Sequence, residues 1–396
     1  MRTVFRIVSC LALIALVALV AAAIPAQAQD DPAATPQKNL KAGFIYVGPI
    51  GDYGWTNAHE QSRQILVRKF PWLDTTFVES VPEADAARVI DRLVAEENCD
   101  VVFTTSFGYM NDTVAAAQRY PDKLFMHCSG YKQAKNLGTY FAELYQTYYL
   151  NGLMAGALSK TGKIGYVGAH PIPEVVRHIN AFALGIKETN PQARVMVKWL
   201  YSWYDPAKCR EAAEALVAEG CDALAFTEDS PAVIQVGEEH TAKGKPVYTF
   251  SHYSPMGRFG PNSAVSGQLV NWTGMYETIL TSIRDGKFEG RDHWWLMKEG
   301  AALIGAEEGQ PINPKFIDVL KKLEHTDPVL GKITIFDLVT KRQEQMTDAT
   351  VSFDPYTGPI KDNTGQERIK AGERGTHDQL WTIDWYVDNV EGSVPK

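Results

Sequence analysis

Short apolar runs alternate with amphipathic stretches along the chain from about residue 41 onward. Runs of this kind, bounded by polar turns, predict buried parallel strands. The stretches between them, apolar at every third or fourth position, predict helices. In a first unit the strands fall at 42–47, 74–78, 99–104 and 123–127, with helices at 58–70, 84–97 and 110–119. A second unit repeats the plan, with strands at 163–167, 194–201, 222–226 and 246–250 and helices at 173–189, 207–219 and 231–243. The echo reaches individual residues: Leu93-Val94-Ala95-Glu96 precedes Cys99-Asp100, and Leu216-Val217-Ala218-Glu219 precedes Cys221-Asp222. Repetition of one pattern at one place in two matched units predicts two similar doubly wound α/β lobes.

Residues 141–158 read as one long helix crossing between the lobes. The strand at 264–269 and the helix at 274–284 then read as returning to the first lobe. This assigns 41–145 and 264–300 to lobe one, 146–263 to lobe two, and 301–396 to an extension packed on both. A helix is expected at 313–324, a hairpin around 363–365 and a last strand at 381–387. The tryptophan-rich segment His293-Trp294-Trp295 is expected to pack the tail against lobe one.

The stretch 43–60 organises the chemistry. An apolar run ends at Gly48-Pro49-Ile50-Gly51, and Asp52, Trp55, Thr56 and Asn57 follow at a helix start. Ligand sites of open α/β sheets lie in this position, beyond the carboxyl ends of the strands. Other strand ends add Ser106, Phe107, Gly108 and Ser129 from the first unit, and Trp203, Asp205, Glu228, Asp229, Ser251 and His252 from the second. Two lobes facing each other across such residues predict hinge closure on a clamped ligand.

The first 28 residues carry Arg2 and Arg6, an apolar run and Ala26-Gln27-Ala28, the pattern of a cleaved export signal, and 29–40 reads as a tether. A lipoprotein-like Ile7-Val8-Ser9-Cys10 stands at the wrong end of the apolar run for lipid anchoring. Cys99, Cys128, Cys209 and Cys221 show no paired spacing and read as buried small apolar residues. A net charge of −8 with no basic stripe argues against nucleic-acid binding. There is no G-x-S-x-G, no HExxH and no dinucleotide fingerprint, and GALSKTGK at 156–163 departs from a phosphate loop in spacing and context. No cofactor and no metal are expected. Nine tryptophans and seventeen tyrosines fit a pocket that stacks a flat ring.

The segments Gly51–Asn57, Tyr149-Leu150-Asn151-Gly152, KTGKIGYVG at 160–168 and YTGPIKD at 356–362 carry a resemblance to the basic membrane protein (BMP) family of solute-binding proteins, which includes purine nucleoside receptors. The resemblance implies a periplasmic-binding-protein fold of two Rossmann-like lobes joined by several crossings. It also implies a receptor delivering a small molecule to an ABC permease in the inner membrane, and the two homologous lobes argue for a monomer closing on one ligand. In this family the purine ring lies between one aromatic from each lobe; by motif position these are Trp55 and Trp203. Where the family often carries aspartates after the fourth strand of each lobe, this chain has Ser129 and Ser251, and the family's pocket lysine is replaced in the region of Gln268, Leu269 and Asn271. Loss of those charge-assisted partners, with Tyr253 crowding the sugar position, favours a free base such as adenine over a nucleoside. Asp229, Glu143 and Asn57 are the expected readers of the base edge. The alternatives are a nucleoside receptor, a sensor domain, or an exported nucleosidase-like hydrolase using Asp52 and Asp229.

Overall fold

The computed structural model describes residues 39–396; the expected export signal and nearly all of the tether lie outside the described residues. Lobe one is a six-stranded parallel sheet of β1 (Leu40–Ile45), β2 (Leu73–Val78), β3 (Val101–Thr104), β4 (Leu124–Cys128), β5 (Leu137–Ala142) and β11 (Asp292–Trp295). It carries α1 (Trp55–Lys69), α2 (Ala86–Ala95), α3 (Met110–Arg119) and α8 (Trp272–Arg284). Lobe two holds β6 (Lys163–Gly168), β7 (Arg194–Trp199), β8 (Ala223–Phe226), β9 (Tyr248–Ser251), β10 (Ala264–Val270) and the antiparallel edge strand β12 (Ala302–Ile304). Its helices are α4 (Tyr145–Leu158), α5 (Pro173–Thr189), α6 (Pro206–Ala218) and α7 (Ala232–Ala242).

The strand orders are β11-β5-β4-β3-β1-β2 and β12-β10-β9-β8-β6-β7. Position for position the two sheets have the same order, so the repeated letters mark a repeated lobe. The repeat's Leu93 and Leu216 are both fully buried, each near the end of the helix that leads into the third strand of its lobe. All four described cysteines are buried and free.

Several expected boundaries change. Phe141 and Ala142 end strand β5, and α4 begins only at Tyr145, where the Glu143 carboxylate accepts the Tyr145 N–H at 2.9 Å. The strand at 264–270 belongs to lobe two, pairing with β9 and β12, while α8 returns to lobe one. The physical reason is close backbone approach: a Cβ on Gly267 would lie 1.9 Å from Ser251 Oγ, so β10 fits directly beside β9. His293, Trp294 and Trp295 form edge strand β11 of lobe one. The part of 301–396 at 302–304 completes the lobe-two sheet as β12.

The chain passes between lobes after β5, after β10 and after β11. Beside the first passage α4 packs tightly on α5. A Cβ on Gly152 would lie 2.1 Å from Phe182 O, and one on Gly185 would lie 2.1 Å from Tyr149 O. Only glycine permits that contact between backbones.

The tail contains α9 (Pro314–Leu320), β13 (Glu324–Asp327), β14 (Gly331–Thr334), α10 (Ile335–Thr347), the hairpin of β15 (Ile360–Lys361) and β16 (Glu367–Ile369), and α11 (His377–Trp381). The expected strand at 381–387 is not formed. Trp381 ends α11, and Val387 makes only an isolated bridge to Asp362.

Candidate ligand-binding cleft

Between the carboxyl ends of the two sheets lies a small cleft. Lobe one lines it with Val47, Trp55, Ser106, Phe107 and Ser129. Lobe two adds Glu174, Trp203, Thr227, Asp229 and Tyr253. Of the residues named from the sequence, Trp55, Phe107, Ser129, Trp203 and Asp229 are therefore brought together in one cleft. Ser129 and Tyr253 hold left-handed backbone at φ 57° and 58°, a conformation that costs energy in non-glycine residues and clusters at ligand clamps.

The remaining expected site residues do other work. Asp52 accepts the backbone N–H groups of Gly54 (2.7 Å), Thr56 (3.0 Å) and Asn57 (2.9 Å), so it caps α1 and does not line the cleft. Thr56 Oγ1 accepts Gly48 N–H at 3.2 Å. Asn57 donates to Ile50 O at 2.9 Å and lines a separate surface depression. Gly108 N–H donates to Glu83 at 3.0 Å. Glu143 is sequestered at the first interlobe passage by Arg177 (2.6 Å) and His178 (3.0 Å). Ser251 is packed under Gly267 and fully buried. His252 is bound to the Tyr148 hydroxyl at 2.7 Å. Gln268, near the family's lysine position, is also fully buried and outside the cleft lining. Polar side chains at helix starts were legible; which of them cap the helix and which face the gap was not.

Glu174, Thr227 and Val47 escaped the sequence reading. Glu174 stands in the first turn of α5, directly after β6. That is the lobe-two counterpart of the β1–α1 turn, so the internal repeat was the signal that pointed there. Its Oε1 accepts the Tyr253 hydroxyl at 2.8 Å. Burial pushes the Glu174 carboxyl above its usual range despite His178 and Arg177 nearby.

The lobes are in direct contact along residues 53–55. Trp55 N–H donates to Asp229 Oδ1 at 2.8 Å, and Ser254 Oγ donates to Gly54 O at 3.0 Å. The Trp55 ring meets Tyr253 edge-on at 5.0 Å, and Tyr53 meets Phe259 at 5.1 Å. The N-terminus of α1 is thus capped twice, by Asp52 of its own lobe and by Asp229 of the other. Closing the lobes completes the cap.

Closure also desolvates both acids. Burial raises Asp52 to about 6, although three backbone N–H bonds pull the other way. Burial and then the Asp52 charge raise Asp229 well above the carboxylate range. A carboxyl whose folded pKa is raised stabilises the closed fold below its ordinary value of about 3.9, and that stability is lost as pH rises through the folded value. Melting curves should therefore show the unmodified protein losing stability relative to Asp52→Asn between about pH 4 and pH 6. Parallel pH profiles for the two proteins would contradict the raised Asp52.

Among the described residues, Glu188, His325 and Asp327 form a cluster able to hold a metal ion, away from the cleft. Arg342 already occupies it, pairing with Glu188 at 3.2 Å and with Asp327.

A family model for PnrA-like ABC transporter substrate-binding proteins matches residues 39–328. A purine-binding protein of Brucella abortus is 38 % identical over 366 residues, spanning 92 % of this chain and 96 % of the relative. The ABC transporter glucose-binding protein TsgA13 of Haloferax volcanii, a role assigned to it provisionally, is 39 % identical over 67 % of each chain. An ABC transporter solute-binding protein of Aeropyrum pernix shares the fold, with a TM-score of 0.64 at 16 % identity over 86 % of this chain and 95 % of that one. The relatives are named as ligand- or solute-binding proteins, and among the described residues no helix is long and apolar enough to cross a membrane. The chain belongs to the PnrA-like (Bmp) family of ABC transporter substrate-binding proteins.

Proposed function

We propose that this protein is a monomeric periplasmic receptor that holds a purine between Trp55 and Trp203 and delivers it to an ABC permease in the inner membrane, with a free base such as adenine preferred over a nucleoside. The observation that carries the reading is that one tryptophan from each lobe lines a single small cleft. A flat ring placed there gains two stacking faces, worth roughly 1–3 kcal/mol per aromatic. The purine-binding Brucella relative supports the ligand class. Two features support a base over a nucleoside. The cleft is small, and Tyr253 and Glu174 share its lobe-two wall with Trp203. No lysine or arginine stands among the cleft-lining residues to pair with ribose hydroxyls.

The test is a melting series of the ligand-stripped mature protein against adenine, hypoxanthine, adenosine and glucose. Ligand at a hundred times Kd adds about 2.7 kcal/mol of stability. Adenine or hypoxanthine should raise the melt while adenosine and glucose leave it nearly unchanged. A shift with adenosine alone would overturn the base preference, and a shift with glucose alone would overturn the purine reading. Trp203→Ala should weaken adenine by roughly 1–3 kcal/mol with little change in the ligand-free melt, because Trp203 is only partly buried. Unchanged adenine affinity in Trp203→Ala, measured by calorimetry, would remove Trp203 from the site.

A further inference from the structure

We infer that Glu174, with Asp229, makes the cleft selective for purines that present N–H donors and closes it to anionic purines, an inference that rests on the purine reading above. The selectivity follows from how donors and acceptors are distributed in the cleft wall. Three side-chain donors of the cleft wall already have protein partners. Trp55 Nε1–H donates to Thr105 O at 2.6 Å, the Tyr253 hydroxyl donates to Glu174, and the Ser106 hydroxyl donates to Glu83 at 2.5 Å. Backbone donors are engaged too: Asp229 N–H reaches Trp203 O at 2.9 Å and Ser129 N–H reaches Tyr140 O at 3.1 Å.

Against these stands the acceptor capacity of two buried carboxyls. Each carboxylate has two oxygens and about four lone-pair directions. One oxygen of Asp229 takes Trp55 N–H, and one of Glu174 takes the Tyr253 hydroxyl. Glu174 is 7 % exposed and Asp229 3 %. Carboxyls this buried need further donors to carry charge. Asp52 and Glu228 add to the negative field at Asp229, and no lysine or arginine lines the cleft to offset it.

The ring N–H groups of adenine or hypoxanthine, and the exocyclic amine of adenine, supply the missing donors. An oxidised purine that is an anion at neutral pH, such as urate, meets two acids instead. It binds only while both acids hold protons or once its own charge is neutralised, and it then forgoes the charge-assisted hydrogen bonds that the N–H groups of adenine make.

The experiment is calorimetric titration of the ligand-stripped mature protein at pH 7.5 with adenine, hypoxanthine and urate. Adenine and hypoxanthine should bind more tightly than urate by on the order of tenfold or more. Glu174→Gln should lower adenine affinity and narrow the gap to urate. Urate binding as tightly as adenine, or a ratio unchanged by Glu174→Gln, would overturn the inference while leaving the purine reading in place. Absence of binding by all three would overturn both. The series on the unmodified chain decides the matter even if the variant does not fold.

Discussion

Gly54→Val is expected to remove tight ligand binding while each lobe stays folded. A Cβ at Gly54 would lie 2.5 Å from Asp229 Oδ1, 2.6 Å from Asp229 Cα and 2.7 Å from its Cβ. The Cα is backbone of the opposite lobe, so no side-chain rotation relieves the clash. The clash is with the opposite lobe, so its cost falls on closure. Overpacking of this kind costs about 1–3 kcal/mol, all of it borne by the closed state. Affinity should fall about 10- to 100-fold. Small-angle scattering should report a larger radius than for the unmodified protein at saturating ligand. The ligand-free melt should change little. A Gly54→Val protein that binds and compacts like the parent would show that the 53–55 contact is not part of the liganded state.

Glu143→Ala is expected to produce the largest loss of stability. Glu143 and Arg177 are at most 2 % exposed and 2.6 Å apart. The same carboxylate takes His178 at 3.0 Å and Tyr145 N–H at 2.9 Å. Arg177 in turn lies over the Trp381 ring at 4.6 Å, tying the tail to the first interlobe passage. Removing one partner of a buried pair leaves the other charge uncompensated, at a cost of about 3–5 kcal/mol. The melting temperature should drop by roughly 5–10 °C. The pH dependence supplies a second readout. Burial pushes Glu143 up, but Arg177, His178 and the Tyr145 N–H together outweigh it and hold the carboxyl at about 2. Its contribution is therefore present above the ordinary glutamate value of about 4.3 and is lost as pH falls toward 2. The unmodified protein should lose its advantage over Glu143→Ala across that window. Equal melts at pH 7 would show that the ion cluster adds nothing.

The two-lobe architecture was legible because parallel strands buried on both faces read as apolar runs, and because the Leu-Val-Ala-Glu echo marks matched positions. Short edge strands were not legible. β11 is His and Trp in an apparent tail, and β12 is three residues long. Neither carries a periodic signal, and tertiary pairing alone makes them strands. Assigning β10 to a lobe required knowing which sheet edge was free, and local pattern does not carry that.

Within the candidate site, the aromatics at strand ends, Trp55, Phe107 and Trp203, all reach the cleft. Some of the small polar residues do not. Asp52 and Thr56 sit at the same helix start as Trp55, yet their oxygens are taken by backbone N–H groups. Glu174 was hidden because an acidic residue in a helix's first turn reads as a dipole partner. The internal repeat places it at the counterpart of the β1–α1 turn, and its position beside Tyr253 in the structure identifies it as a cleft residue.

A crystal structure of the mature protein grown with adenine tests the central claim most directly. The purine ring should lie between Trp55 and Trp203, with a ring or amine N–H within hydrogen-bond distance of Glu174 and the Trp55 N–H still on Asp229. Adenine bound elsewhere, or a cleft that closes on a different molecule with the two tryptophans not facing it, would contradict the claim.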